Sequence, residues 1–85
     1  MSSSVPSTDT RVIGAIVTDD ELTVQLADGR SLSVPLAWFP RLLHASPAAR
    51  KNFRLIGNGV GIHWPDVDED LSVDGLLRGA RAPNA

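Results

Sequence analysis

The segment LTVQLADGRSLSV, residues 22 to 34, constrains the fold more than any other part of this chain. Leu22, Val24 and Leu26 alternate with polar residues, and so do Leu32 and Val34; a period of two means strands with one buried face. The reversal between them falls at Asp28-Gly29, and its length is testable from the pattern. A two-residue turn would set Leu26 opposite Ser31 and Val24 opposite Ser33, mixing apolar and polar residues on each face. A three-residue loop, Ala27-Asp28-Gly29 with Gly29 left-handed in a bulge, sets Val24 opposite Leu32 and Leu22 opposite Val34. Upstream, RVIGAIVT (11 to 18) is rich in β-branched residues and joins the next strand through Asp19-Asp20. The expectation is a three-stranded antiparallel meander with one apolar face.

A second hairpin is written in FRLIGNGVGIHW, residues 53 to 64. Asn58-Gly59 suits a two-residue type I′ turn, which pairs Gly57 with Val60, Leu55 with Ile62 and Phe53 with Trp64, and leaves Arg54 opposite His63 on the other face. Between the hairpins, Pro40 disfavours a helical Phe39, so a short helix is expected to begin at Pro40 with Leu42 and Leu43 turned inward. Ser46 followed by Pro47 repeats the start signal for a second short helix. The predicted fold class is α+β: an antiparallel meander plus a second β-hairpin, packed with short helices.

With 85 residues there is room for one small domain, expected over 11 to 79, between polar tails at 1 to 10 and 80 to 85 that are expected to be disordered. The chain has no cysteine, which excludes disulfides, thiolate nucleophiles and thiolate zinc sites. No apolar run approaches the ~20 residues of a membrane-spanning helix, and the N-terminus has no hydrophobic signal segment, so a cytoplasmic protein is expected. A net charge of −2 argues against broad attraction to nucleic acid. Arg50, Lys51 and Arg54 nevertheless form a basic group in mid-chain, which supports an alternative reading as a nucleic-acid-associated regulator contacting phosphates.

HWPDVDED, residues 63 to 70, raises the question of a metal or an acid–base site. Strand alternation sends Trp64 inward with Phe53 and His63 outward beside Arg54, a cationic neighbour ill suited to supporting a metal-bound imidazole. Asp66, Asp68 and Asp70 imitate the start of a calcium loop, but Leu71 replaces its glycine and Leu77 its closing carboxylate. A helix start accounts for the stretch: Ser72 as N-cap, Leu71 and Leu76 as a staple, Arg78 and Gly79 as the stop, and acids near the positive end of the helix dipole. No triad, nucleophile elbow or phosphate-binding turn is present. Neither catalytic residues nor a metal or cofactor is expected; metal-assisted hydrolysis through His63 and the carboxylates is the weakest of the readings.

VPLAWFPRLLHASP (34 to 47) and LIGNGVGIHWPDVDEDLSVDGLLRG (55 to 79) closely resemble the small bacterial family known as domain of unknown function 2442. The resemblance implies an α+β domain with no assigned catalytic activity, often encoded beside another small protein in a layout similar to toxin-antitoxin pairs. In some relatives a C-terminal helix-turn-helix follows; this chain closes soon after its last predicted helix, so that DNA-reading role is not carried over. Ala48 and Ala49 depart from the pattern, in which relatives tend to carry acidic or polar residues. Trp38, Phe39, Arg41, His63, Trp64, Asp66, Asp68 and Asp70 match signature positions. Together with Arg54 they are the candidate partner-binding residues. The expected function is a non-enzymatic protein–protein interaction module, antitoxin-like, binding another small protein such as the neighbouring gene product; a homodimer through the first strand is a further option.

Overall fold

The computed structural model describes residues 9–82. The chain runs β1 (Val12–Val17), β2 (Glu21–Leu26), β3 (Ser31–Pro35), a 3-10 turn (Leu36–Trp38), α1 (Pro40–Leu43), α2 (Pro47–Lys51), β4 (Arg54–Ile56), β5 (Gly61–Trp64), β6 (Glu69–Ser72) and α3 (Val73–Leu77). It forms two three-stranded antiparallel sheets, ordered β1-β2-β3 and β4-β5-β6, with three short helices, a small α+β fold.

The first sheet adopts the expected register, with Leu22 opposite Val34 and Val24 opposite Leu32. Gly29 is left-handed at φ 95°, and the Leu26 N–H donates to the Arg30 carbonyl at 2.8 Å, which closes the bulged loop. In β1 the pairing slips between Val12 and Gly14, so Ile13 is extruded as a bulge and Ala15 and Val17 return to the core-facing side opposite Val24 and Leu22.

The second hairpin keeps its expected register, Leu55 with Ile62 and Arg54 with His63, but its turn is wider than two residues. Gly57, Asn58 and Gly59 are all left-handed, and the Ile56 carbonyl accepts from both Gly59 and Val60 at 3.0 Å. This loop holds the two sheets together. The Val12 N–H donates to the Gly59 carbonyl at 2.8 Å, and the Val73 N–H, opening α3, donates to that of Val60 at 3.0 Å. A Cβ on Gly59 would lie 2.5 Å from the Val12 oxygen.

The acidic stretch holds a strand where a helix approach was expected. After a turn at residues 65–68, with Asp68 left-handed at φ 52°, Glu69–Ser72 pairs with β5, placing Asp70 opposite His63 and Leu71 opposite Ile62. The alternation of Glu69 and Leu71 inward, Asp70 and Ser72 outward, is ordinary strand patterning hidden under helix-start chemistry. That chemistry is also present. The Ser72 hydroxyl accepts from the Gly75 N–H, and Gly79 and Ala80 donate to Leu76 and Gly75 in a closing Schellman arrangement.

Ordered contacts extend past both expected domain boundaries. The Asp9 carbonyl accepts from Asp28. At the other end Ala82 donates to the Trp38 carbonyl at 3.1 Å, while the Arg81 guanidinium stacks 4.6 Å from the Trp38 ring centre. The outer parts of the predicted tails, residues 1–8 and 83–85, lie outside the described residues.

One core groups Leu22, Val24, Leu36, Phe39, Leu42, Ile62, Trp64, Val73 and Leu76 from both sheets and the helices. Arg50 enters it as well, only 8% exposed. Its guanidinium donates to the Leu43 carbonyl at 2.8 Å, which has no backbone donor among the described residues, to the Leu42 carbonyl at 3.0 Å, which also accepts the Ala45 N–H at 3.1 Å, and to Asp19 at 2.7 Å in the β1–β2 turn. The Arg50 carbonyl accepts the Trp64 indole N–H at 3.0 Å.

Two expectations follow for stability. Arg50→Leu leaves the Leu43 carbonyl without its donor and removes the links to Leu42 and Asp19, and is expected to cost about 2 kcal/mol in denaturant unfolding, while Lys51→Leu next to it changes stability by less than about 0.5 kcal/mol. Gly29→Ala meets open space and carries only the left-handed penalty of about 1 kcal/mol; Gly59→Ala adds the clash with Val12 and is expected to cost about 3 kcal/mol or more. Equal losses at the two glycines would show that the Val12–Gly59 junction is unimportant.

Candidate functional site

The outer face of the second sheet carries a row of polar side chains, one from each strand: Arg54 on β4, His63 on β5 and Asp70 on β6. His63 Nδ1 and the Asp70 carboxylate share a close hydrogen bond. Arg54 is exposed and, among the described residues, forms no ion pair. The row is fixed by register: three residues at matching positions of an antiparallel sheet lie side by side, with facing Cβ atoms within ~5.5 Å of one another. Ile56, two residues from Arg54 on the same face, is 43% exposed, and Val60 in the adjoining loop 58%.

The other acids of the cluster are drawn to separate places. Asp66 accepts from the Asn52 side chain at 3.1 Å. Asp68 offers its backbone carbonyl to Arg41 at 2.6 Å, which ties α1 to the β5–β6 turn. Only one carboxylate meets His63, and among the described residues no group of three metal-ligating side chains gathers. The calcium-loop likeness is therefore broken by the backbone as well as by Leu71 and Leu77: β6 pairs residues 69 to 72 with β5, and Asp70 is turned outward to His63.

Several signature residues are core. Phe39 is 2% exposed and Trp64 fully buried, the latter tilted against Phe53 with ring centres 6.0 Å apart; both are out of a partner's reach. Trp38 is half-buried beneath Arg81. The mid-chain basic group also loses its strongest member, because the Arg50 guanidinium is spent on Leu42, Leu43 and Asp19. Lys51 and Arg54 stay exposed. Burial of Arg50 is hidden in the sequence because a helix-terminal Arg beside a Lys looks solvated; the clue is the preceding α1, whose last carbonyl, that of Leu43, has no backbone donor among the described residues.

A separate cleft of about 200 Å³ opens between Phe39, Glu69, Leu71, Leu76, Arg81 and Ala82. Burial pushes the Glu69 carboxyl above its ordinary value of 4.5, against the opposing pull of the Asp70 N–H and the Arg41 charge. A raised value means the folded chain holds this proton more tightly than the unfolded one. Its contribution favours folding below pH 4.5 and is lost as pH rises through the raised value. Glu69→Gln keeps the acceptor for Asp70 and is expected to be more stable than the parent at pH 7, the gain shrinking as unfolding is measured below pH 4.5; a pH-independent difference would contradict this.

A family model described as protein of unknown function (DUF2442) matches residues 12–82. Two solved structures share the fold. A protein of unknown function from Rhodospirillum rubrum ATCC 11170 is 27% identical with a TM-score of 0.73, over 88% of this chain and 93% of that one. An uncharacterized protein from Chromobacterium violaceum is 22% identical with a TM-score of 0.71, over 85% of this chain and 68% of that one. The search of curated proteins found no significant match.

Proposed function

The chain belongs to the DUF2442 family, and we propose that it is a non-enzymatic protein–protein interaction module whose contact surface is the outer face of the second sheet. The observation that carries this reading is the adjacency of exposed Ile56 to the Arg54–His63–Asp70 row. Ile56 gives a partner apolar area to bury, and an ordered row running from cation to carboxylate across three strands gives it a direction and a register. A sheet face is rigid, so little ordering cost accompanies docking.

The partner is another small protein, and the neighbouring gene product is the first candidate, with this chain in an antitoxin-like role. Asp66 in the acidic turn contributes less to the surface than its charge suggests, since its carboxylate accepts from the Asn52 side chain. Of the residues matching the family signature, His63 and Asp70 are those on this face.

Reversal of one charge and one apolar contact tests the proposal. Arg54→Glu combined with Ile56→Asp alters exposed positions only and is expected to fold with the parent's circular dichroism while losing co-purification with the neighbouring gene product. Retention of the complex by the folded double variant would remove this face from consideration.

A further inference from the structure

A second surface, built from different residues, lies along β1. This strand is the outer member of its sheet. Thr18 donates to the Glu21 carbonyl, and Ile16 and Gly14 continue that pairing opposite Thr23 and Gln25. In an antiparallel ladder alternate residues point their backbone groups to opposite sides, so Ala15 and Val17 direct their N–H and C=O groups away from β2. Among the described residues neither has a backbone partner on that side. Both are half-buried, and a row of unpaired backbone groups on an edge strand is a template for a further strand.

The edge is guarded at one end only. At its start the Ile13 bulge breaks the ladder and the Gly59 carbonyl occupies the Val12 N–H, two devices that deter strand addition. From Ala15 onward the edge opens instead into a groove of about 260 Å³, lined by Ala15, Ile16, Val17, Arg50, Lys51 and Phe53. The walls are mainly apolar and both charged lining residues are cations. Arg50 is committed to Asp19 and to backbone carbonyls. Lys51 is exposed and, among the described residues, has no ion-pair partner.

We propose that the free edge of β1 is a docking site for an extended, acidic segment of another protein, which adds as a strand against Ala15 and Val17, seats alternate apolar side chains between Ile16 and Phe53, and sets a carboxylate against Lys51. Backbone pairing supplies the binding, and the apolar walls with the single unpartnered cation supply the selection. Oriented backbone donors and acceptors along an apolar trough define a strand as the occupant, and unpartnered Lys51 defines its charge.

The test is a titration followed by amide-resolved NMR, using a short peptide of alternating valine and threonine ending in glutamates. The Ala15 and Val17 signals are expected to shift and saturate by millimolar peptide. The same peptide ending in lysines should bind about tenfold more weakly or worse, and Lys51→Glu should reverse that preference. Val17→Pro removes an outward N–H while sparing the β1–β2 ladder and should abolish binding. Should that variant not fold, N-methylation of alternate peptide amides must have the same effect on the parent protein. Unmoved Ala15 and Val17 signals at millimolar peptide, equal binding of both peptides, or undiminished binding of the methylated peptide would overturn the proposal. So would a concentration-dependent dimer that buries this edge and resists the peptide, since the occupant would then be a second copy.

Discussion

Arg50 sits where α1, the β1–β2 turn and the second sheet meet. Its side chain holds the end of α1 through the Leu42 and Leu43 carbonyls and reaches the β1–β2 turn through Asp19, and its main-chain oxygen receives the Trp64 indole from the second sheet. Charge-assisted hydrogen bonds are about twice as strong as neutral ones, and here they supply the C-terminal donors that four-residue α1 lacks at Leu43. The Asp19 side chain is 92% exposed, so that ion pair is softened by solvent. The carbonyl contacts are the part that matters for folding.

The surface inherits its layout from this buried junction. With Trp64 pinned to Arg50, strand alternation leaves His63 on the opposite face, and the β6 register then brings Asp70 to it. A one-residue slip of β5 would bury the imidazole and expose the indole. The polar row and the groove beside β1 therefore depend on the same fixed point, since Arg50 also lines that groove.

Local patterns carried most of the fold. The bulged turn at Gly29, the pairings of Leu22 with Val34 and Leu55 with Ile62, and the Ser46 and Ser72 caps all follow from alternation, turn chemistry and capping. These are short-range effects, in which a residue's neighbours decide its conformation. What stayed hidden was long-range or doubly encoded. Glu69–Ser72 reads both as a helix approach and as a strand, and only the neighbouring β5 edge decides for the strand. Arg50 reads as solvated until the open Leu43 carbonyl at the end of α1 is placed beside it. Of the candidate site, the opposition of Arg54 and His63 was legible, while the Asp70 contact required β6, and the scattering of Asp66 and Asp68 required Asn52 and Arg41.

If Arg50 and Trp64 join the two sheets into one cooperative unit, native-state hydrogen exchange of the Trp64 indole N–H reports it directly. It should exchange only through global unfolding, with the same free energy of opening as the Leu22 and Val24 amides of the first sheet. Exchange of the indole at a markedly lower free energy, with those amides still protected, would mean that the sheets open independently and that this junction does not organise the fold.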